Sequence, residues 1–434
     1  MIRVMTRTRF AGHFAPAFSF AAVVACASVA TADVTIETAP VRDYQLPAGF
    51  TLENARVLDT PQGETVIVNT IGMTPEEAVC GVVIADDTSA RLIEYRYAAA
   101  PTACIGSIIH PAGGLFLRGN NPTVAEGDVS GFTAFIGADD VELWAIDDQT
   151  LADAQPPPNG TGEFKGAYVT PHPAMAYSPQ LDKLLAFTIG KLTIGTDEKF
   201  LSQAHVANGA TGRVTTSGQT FGLSGVGNIG GATTRTSDGN FLIYYYSSGD
   251  RGAFFYDYNG RQDIEFFKPR GEDWDDRFVL RMIYRNDLLH LLWTPSDTEE
   301  TQTRVTVTTD AGAELWSTTL DAEYRFADGT LVNLGMPLTM WVSDEHVLIL
   351  HQDAAMELFV RVLDRNGVSL GVSRLADATQ FPPFAIVNGA DDSLKVLSFD
   401  ETNRHLFEHA MSFADVADFD PDAFRGIKLS EPLI

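Results

Sequence analysis

The most pointed cluster of reactive side chains in this sequence is His405-Leu406-Phe407-Glu408-His409, an H-x-x-E-H pattern. On a helix it would turn two imidazoles onto one face for a zinc ion. Its surroundings read as strand, between the apolar runs 394–398 and 411–413. Residues four apart on a strand stand about 13 Å from each other, too far to share one ion, so no zinc site is assigned. His110 next to Pro111, His172 between Pro171 and Pro173, and the pair Arg281 and Tyr284 each adjoin or occupy apolar runs. If the fold converged them on its central channel, such groups could act as ligands or transfer protons. Taken singly, each is as readily a wall residue hydrogen-bonded in place. Acidic side chains gather at Glu76-Glu77, Asp250, Glu272 to Asp276, Asp297 to Glu300 and Asp400-Glu401. Asp273, Asp275 and Asp276 could offer oxygens to Ca²⁺, which takes 6–8 of them. No EF-hand spacing or Asp-x-Asp-x-Asp ladder supports that, so no cofactor is predicted and Ca²⁺ is the ion these loops would suit. Trp274, inside the acidic run, is the best contact candidate for a partner surface or a sugar.

Several chemistries lack their motif. There is no G-x-S-x-G elbow, no Walker loop, no C-x-x-C and no C-x-x-C-H. The glycine-rich stretch 222–227 is no dinucleotide fingerprint, because no helical pattern follows it.

Positioning any of these groups falls to a pattern that recurs seven times: an apolar run, a polar turn, a second apolar run. The turns are Pro61-Gln62-Gly63, Ala112-Gly113-Gly114, Ser178-Pro179-Gln180-Leu181-Asp182, Ser237-Asp238-Gly239, Arg285-Asn286-Asp287, Ser343-Asp344-Glu345 and Ala390-Asp391-Asp392. Their spacing averages about 55 residues, and a strand-built repeat of that length predicts a β-propeller. Further strands end at Asp followed by Asn or Gly, as at Asp257-Tyr258-Asn259-Gly260 and Asp364-Arg365-Asn366-Gly367. These are hairpin turns, since Asp and Asn cap their own backbone and Gly supplies positive φ. The expected fold is all-β: a seven-bladed β-propeller of four-stranded antiparallel blades. The blades fall at about 46–105, 106–162, 163–212, 213–272, 273–325, 326–378 and 379–419. The Gly/Thr/Ser-rich stretch 209–231 reads as a long loop carrying a short strand. The last unit lacks an outer strand, and Val-Thr-Ile-Glu at 34–37 is expected to supply it from the N-terminus, within residues 33–40. In this fold His110, His172, Arg281 and Tyr284 belong to the innermost strands around a central channel, and the acidic loops open on one end.

Thr236-Ser237-Asp238-Gly239 and the following Phe-Leu-Ile-Tyr-Tyr resemble the Ser-Pro-Asp-Gly turn and strand of periplasmic β-propeller repeats, including the PD40 type of TolB-like proteins. Thr-Ser stands where that pattern has Ser-Pro. Ser178-Pro179 before the run 184–187 is similar, and Val-Glu-Leu-Trp-Ala-Ile-Asp at 141–147 resembles a quinoprotein-type repeat. No Gly-His…Trp-Asp pair of the WD40 type occurs. The resemblance implies a propeller and nothing finer.

The N-terminus carries Arg3, Arg7 and Arg9, an apolar stretch from 14 to 30, and Ala30-Thr31-Ala32 before Asp33. This is the layout of a signal peptide over residues 1–32, with one propeller domain over 33–434. Val23-Val24-Ala25-Cys26 offers a competing lipobox, which would anchor the chain by a lipid at Cys26. Either cut leaves Cys80 and Cys104, an even pair suited to a disulfide in the oxidising periplasm. That bond is expected within the first blade. No later segment reaches 18 apolar residues, so no membrane span follows. The chain has a net charge of −27, which excludes nucleic acid as a partner and admits a cationic one. The functional expectation is a periplasmic binding or scaffolding module for a protein or small ligand. The alternative is a propeller enzyme (lyase, hydrolase or quinone-dependent dehydrogenase) working in the central cavity.

Overall fold

The paired apolar runs are strands in a computed structural model. It describes residues 40–411 apart from 47–49, 51–54, 61–62, 87–88, 126–129, 154–169, 195–196, 222–226, 236, 248–251, 259–262, 268–276, 296–301, 310, 327–328, 336, 343, 345, 356, 376–382, 389–393 and 401–403. Among the described residues the strands form seven four-stranded antiparallel sheets and one two-stranded hairpin. The first sheet comprises Arg56–Asp59, Thr65–Ile71, Val79–Ala85 and Ala90–Tyr95. The second is Ala103–Ile109, Leu115–Asn120, Gly131–Ile136 and Glu142–Asp147. Thr170–Ser178, Lys183–Ile194, Asp197–Asn208 and Val214–Phe221 make the third. Gly227–Thr234, Phe241–Ser247, Gly252–Tyr258 and Asp263–Phe267 make the fourth. The fifth runs through Arg277–Arg285, Leu288–Pro295, Thr303–Thr309 and Glu314–Leu320. The sixth holds Pro337–Val342, His346–Gln352, Leu358–Asp364 and Ser369–Leu375. The seventh has Pro383–Asn388, Leu394–Asp400 and His405–Met411, completed by the N-terminal strand Pro40–Gln45.

The first six sheets are simple meanders, and apolar cores lie between consecutive sheets from the first to the sixth. Leu115, Phe116 and Leu117 are all buried because both faces of their strand are covered. Val66, Val82, Leu117 and Ile136 join the first sheet to the second, and Phe116, Phe135, Tyr177 and Leu184 join the second to the third. Similar layers join the third to the fourth, the fourth to the fifth and the fifth to the sixth. Meandering sheets stacked face to face in this way are the arrangement of a β-propeller.

Two sheet junctions share a clasp. The outer strands of the second and fifth sheets open with Glu-Leu-Trp, at 142–144 and 314–316. In each the leucine occupies a break in register and is exposed, 55% at Leu143 and 53% at Leu315. The tryptophan then turns onto the last hairpin of the following sheet. Trp144 Nε1 donates to the Gly209 carbonyl at 2.9 Å, and Trp316 Nε1 to the Arg365 carbonyl at 3.0 Å. Each indole lies over a glycine at positive φ, Gly212 (+66°) and Gly367 (+80°), where a Cβ would stand 2.6 and 2.5 Å from the ring. Only glycine meets both demands.

Several sequence expectations shift. Residues 34–37 and Cys26 lie outside the described residues, and the strand that completes the seventh sheet is Pro40–Gln45, with Tyr44 opposite Leu406. The stretch 209–231 holds two strands, one ending the third sheet at Phe221 and one opening the fourth at Gly227. The division at 212/213 is therefore displaced, because Thr-rich alternation there supports pairing despite the glycines. A short helix, Asp148–Asp153, and the hairpin Glu323–Arg325 with Leu331–Asn333 were not foreseen. Cys80 and Cys104 meet at disulfide distance, with Cα atoms 5.1 Å apart. Cys104 sits in the innermost strand of the second sheet, so the bond ties two sheets together instead of closing one. Replacing both cysteines by alanine is expected to lower stability by about 3 kcal/mol, the chain-entropy value for a loop of this length. Urea titration without reductant measures it, and an unchanged midpoint would contradict the linkage.

Candidate functional site

Glu408, the centre of the H-x-x-E-H pattern, lies on the strand His405–Met411 as its register required. Its carboxylate is fully buried and accepts hydrogen bonds from Tyr44 Oη (3.0 Å) and Thr65 Oγ1 (2.5 Å). It thus joins the N-terminal strand, the seventh sheet and the first. This carboxylate is a structural tie.

His110 belongs to the turn after the innermost strand of the second sheet, beyond the channel wall expected for it. Its ring packs against Phe116, Phe135 and Tyr177, with centroids 5.6, 5.1 and 4.9 Å away. The Ala112 N–H donates to Nδ1 at 3.2 Å. That leaves Nε2–H to donate to Tyr177 Oη (3.0 Å), whose own proton goes to Asp182 Oδ1 (3.0 Å). Asn208 Nδ2 holds the other Asp182 oxygen at 2.8 Å. Desolvation lowers the His110 pKa against the opposing pull of Asp182. Desolvation and the Asp182 bond push the Tyr177 phenol up to about 12. The imidazole is neutral at pH 7, and both of its nitrogens are engaged within the fold.

Arg281 and Tyr284 share the innermost strand of the fifth sheet. Tyr284 is buried with Leu242, Val279 and Trp293, and its hydroxyl donates to Asp287 Oδ1 at 3.4 Å. Arg281 is exposed to solvent, yet the protein around it lowers its pKa by desolvation. His110 lies between the second and third sheets and Tyr284 between the fourth and fifth, so the structure does not bring these two together. His172 falls in the strand Thr170–Ser178, with its side chain outside the described residues, as are Asp273, Trp274, Asp275 and Asp276. Among the described residues no group of three or more His, Cys, Asp or Glu is placed to hold a metal.

Sequence reasoning passed over a set of buried charges. Arg118 and Asp148 are both fully buried and paired, NH1 to Oδ1 at 2.5 Å and NH2 to Oδ2 at 2.9 Å. Arg118 also donates to the Phe132 and Phe187 carbonyls (3.1 and 2.7 Å) and to Thr133 Oγ1 (2.9 Å). Burial pushes the Asp148 carboxyl above its usual range in spite of Arg118. A lone arginine directly after Leu115-Phe116-Leu117 was the available signal. His205, His290 and His351 are likewise buried, and desolvation lowers their pKa values to about 3, 4 and 3.

One open feature among the described residues is a pocket of about 150 Å³ between the first and second sheets. Val66, Val82, Ile84 and Ile93 wall it from the first sheet, and Ile109, Leu115, Leu117 and Ile136 from the second. Ala112, Gly113, Gly114, Gly137 and Ala138 line it with little bulk. At the rim Arg91 Nε and NH2 donate to Asp140 (3.0 and 3.3 Å), and NH1 to Glu64 Oε1 (3.4 Å). These carboxylates raise the Arg91 pKa, the Asp140 bond most. The site offers an apolar slot with two carboxylates and one guanidinium at its mouth, the composition of a small-ligand site. The sequence hid it, since it depends on small residues and rim charges from three separate turns and one strand.

No protein-family model and no curated protein sequence matches the chain. Solved structures do resemble it. Prolyl oligopeptidase B from Galerina marginata is 10% identical over 85% of this chain and 52% of its own, with a TM-score of 0.47. Kuenenia stuttgartiensis hydrazine synthase is 9% identical over 74% of this chain and 81% of its own, TM-score 0.43. Dipeptidyl peptidase 4 from Porphyromonas gingivalis is 10% identical over 81% of this chain and 59% of its own, TM-score 0.40. The chain spans about half the length of the peptidases it matches first. At such identity and TM-scores the likeness assigns the chain neither an activity nor a substrate.

Proposed function

We propose that the chain is an exported seven-bladed β-propeller that acts as a periplasmic binding module, with its recognition site at the pocket between the first two sheets. The observation that carries this is a contrast. The pocket is apolar and open at a charged rim, whereas His110 and Tyr284 are engaged by internal partners in separate cores. Closure of the ring is supported by the apolar core that Leu397 and Leu406 of the seventh sheet share with Ile67 and Val83 of the first. Export is supported by the signal layout and the cysteine pair. No helix among the described residues is long and apolar enough to cross a membrane. The net charge of −27 favours a cationic partner.

One observation favours an enzyme instead. Arg281 is exposed on an innermost strand, where the wall of a central channel is expected. Capture experiments separate the two readings. The tagged mature protein is incubated with periplasmic extract, and the retained component is identified by native mass spectrometry. Ala112 is exposed at the pocket mouth, so A112W should abolish retention while R281Q leaves it intact. The reverse pattern would favour the channel.

A further inference from the structure

The first sheet reaches the second differently from the way the second and fifth reach their neighbours. At those two junctions a tryptophan lies over the last hairpin of the following sheet. Trp144 stands opposite Phe135, one residue before its neighbouring strand ends. The matching place in the first sheet is Arg91, opposite Ile84, also one residue before the strand ends. Arg91 reaches the corresponding hairpin, at Asp140. Its guanidinium stays at the rim with both carboxylates, and below it lies the pocket. The space that an indole covers elsewhere is open here.

We propose that this pocket binds the ring of a small aromatic ammonium ligand, of the arylethylamine class, in the place that tryptophan fills at two other junctions. The inference deepens the binding reading and rests on it. Volume supports it, because an apolar cavity of about 150 Å³ is the size that accepts a benzene ring. Charge supports the ammonium. Glu64 and Asp140 together outweigh Arg91 by one negative charge, and Glu64 is the more loosely held of the two, at 3.4 Å against 3.0 Å. An aryl carboxylate would bring a third anion to the same rim. An aliphatic amine would supply the charge and leave the slot half filled.

Calorimetric titration of the mature protein with tryptamine and with indole-3-acetate tests this. Saturable binding of tryptamine, with affinity at least tenfold above that of the acid, is expected. E64Q should weaken tryptamine about fivefold, the scale of one partly exposed charge pair. R91W puts an indole at the register place of those two tryptophans but over Asp140, where their hairpins have glycine, so it should abolish binding at some cost in stability. Should R91W fold poorly, A112W closes the mouth instead and should give the same loss. Absence of tryptamine binding at millimolar concentration, equal affinity for the acid, or binding that survives both tryptophan variants would each overturn the proposal. A component captured from extract that tryptamine does not displace would leave the binding reading standing and sink this one.

Discussion

Substituting Arg118 by alanine is expected to cost about 3–5 kcal/mol, because it leaves the Asp148 carboxylate buried without its counter-charge. The same change removes the bonds that the guanidinium gives to the Phe132 and Phe187 carbonyls in two different sheets. The double variant R118M/D148L removes both charges together and should recover most of the loss. Urea midpoints of the three proteins at pH 7 measure this. If R118A and the double variant were equally destabilised, the pair would owe its effect to packing alone. His205 supplies an internal check, since the charge on Arg118 helps to depress its pKa. In R118M/D148L the His205 imidazole should titrate closer to its ordinary value.

Acid should unfold this protein as the pH falls from about 6.5 toward 4, because three buried histidines must then take up protons. His205, His290 and His351 have folded pKa values of about 3, 4 and 3, all below the unfolded value near 6.5. Groups so depressed contribute stability that is fully present above pH 6.5 and is lost as the pH falls toward their folded pKa values. Each accounts for roughly 3 kcal/mol by pH 4, and the three together match the ~5–15 kcal/mol net stability of an ordinary domain. Between pH 6 and 4.5 unfolding should therefore take up about three protons from these groups. H205Q should take up about two. Chemical denaturation at several pH values reads the slope, and an unchanged slope in H205Q would refute its part in it.

Much of the architecture was legible because it is repetitive. Seven polar turns between apolar runs mark seven sheets, and continuous apolar stretches such as 115–117 announce strands covered on both faces. The same repeat placed His405 to His409 on a strand and so removed the one tempting metal motif. Boundaries were less legible. The completing strand, Pro-Val-Arg-Asp-Tyr-Gln at 40–45, is an edge segment whose buried anchor is Tyr44, so its alternation is weak beside that of 34–37. The thiol pair was legible as a pair, while its role between sheets depended on where the second unit begins. The candidate site was the least legible part. Its walls are ordinary core residues, and at its rim an arginine holds the register place that tryptophan takes at two other junctions. Glu-Leu-Trp occurs at both 142–144 and 314–316, so the clasp is visible in the sequence as a repeat. Its replacement at Arg91 gains meaning only when the sheets are seen to face each other.

Hydrogen exchange of the mature protein, with and without the component it retains from periplasmic extract, tests the central claim most directly. The binding account predicts slowed exchange confined to the pocket, at residues 60–66, 91–93, 109–114 and 136–140. Protection centred on the innermost strands Arg277–Arg285 and Pro337–Val342, with the pocket unchanged, would contradict it and place the function in the channel.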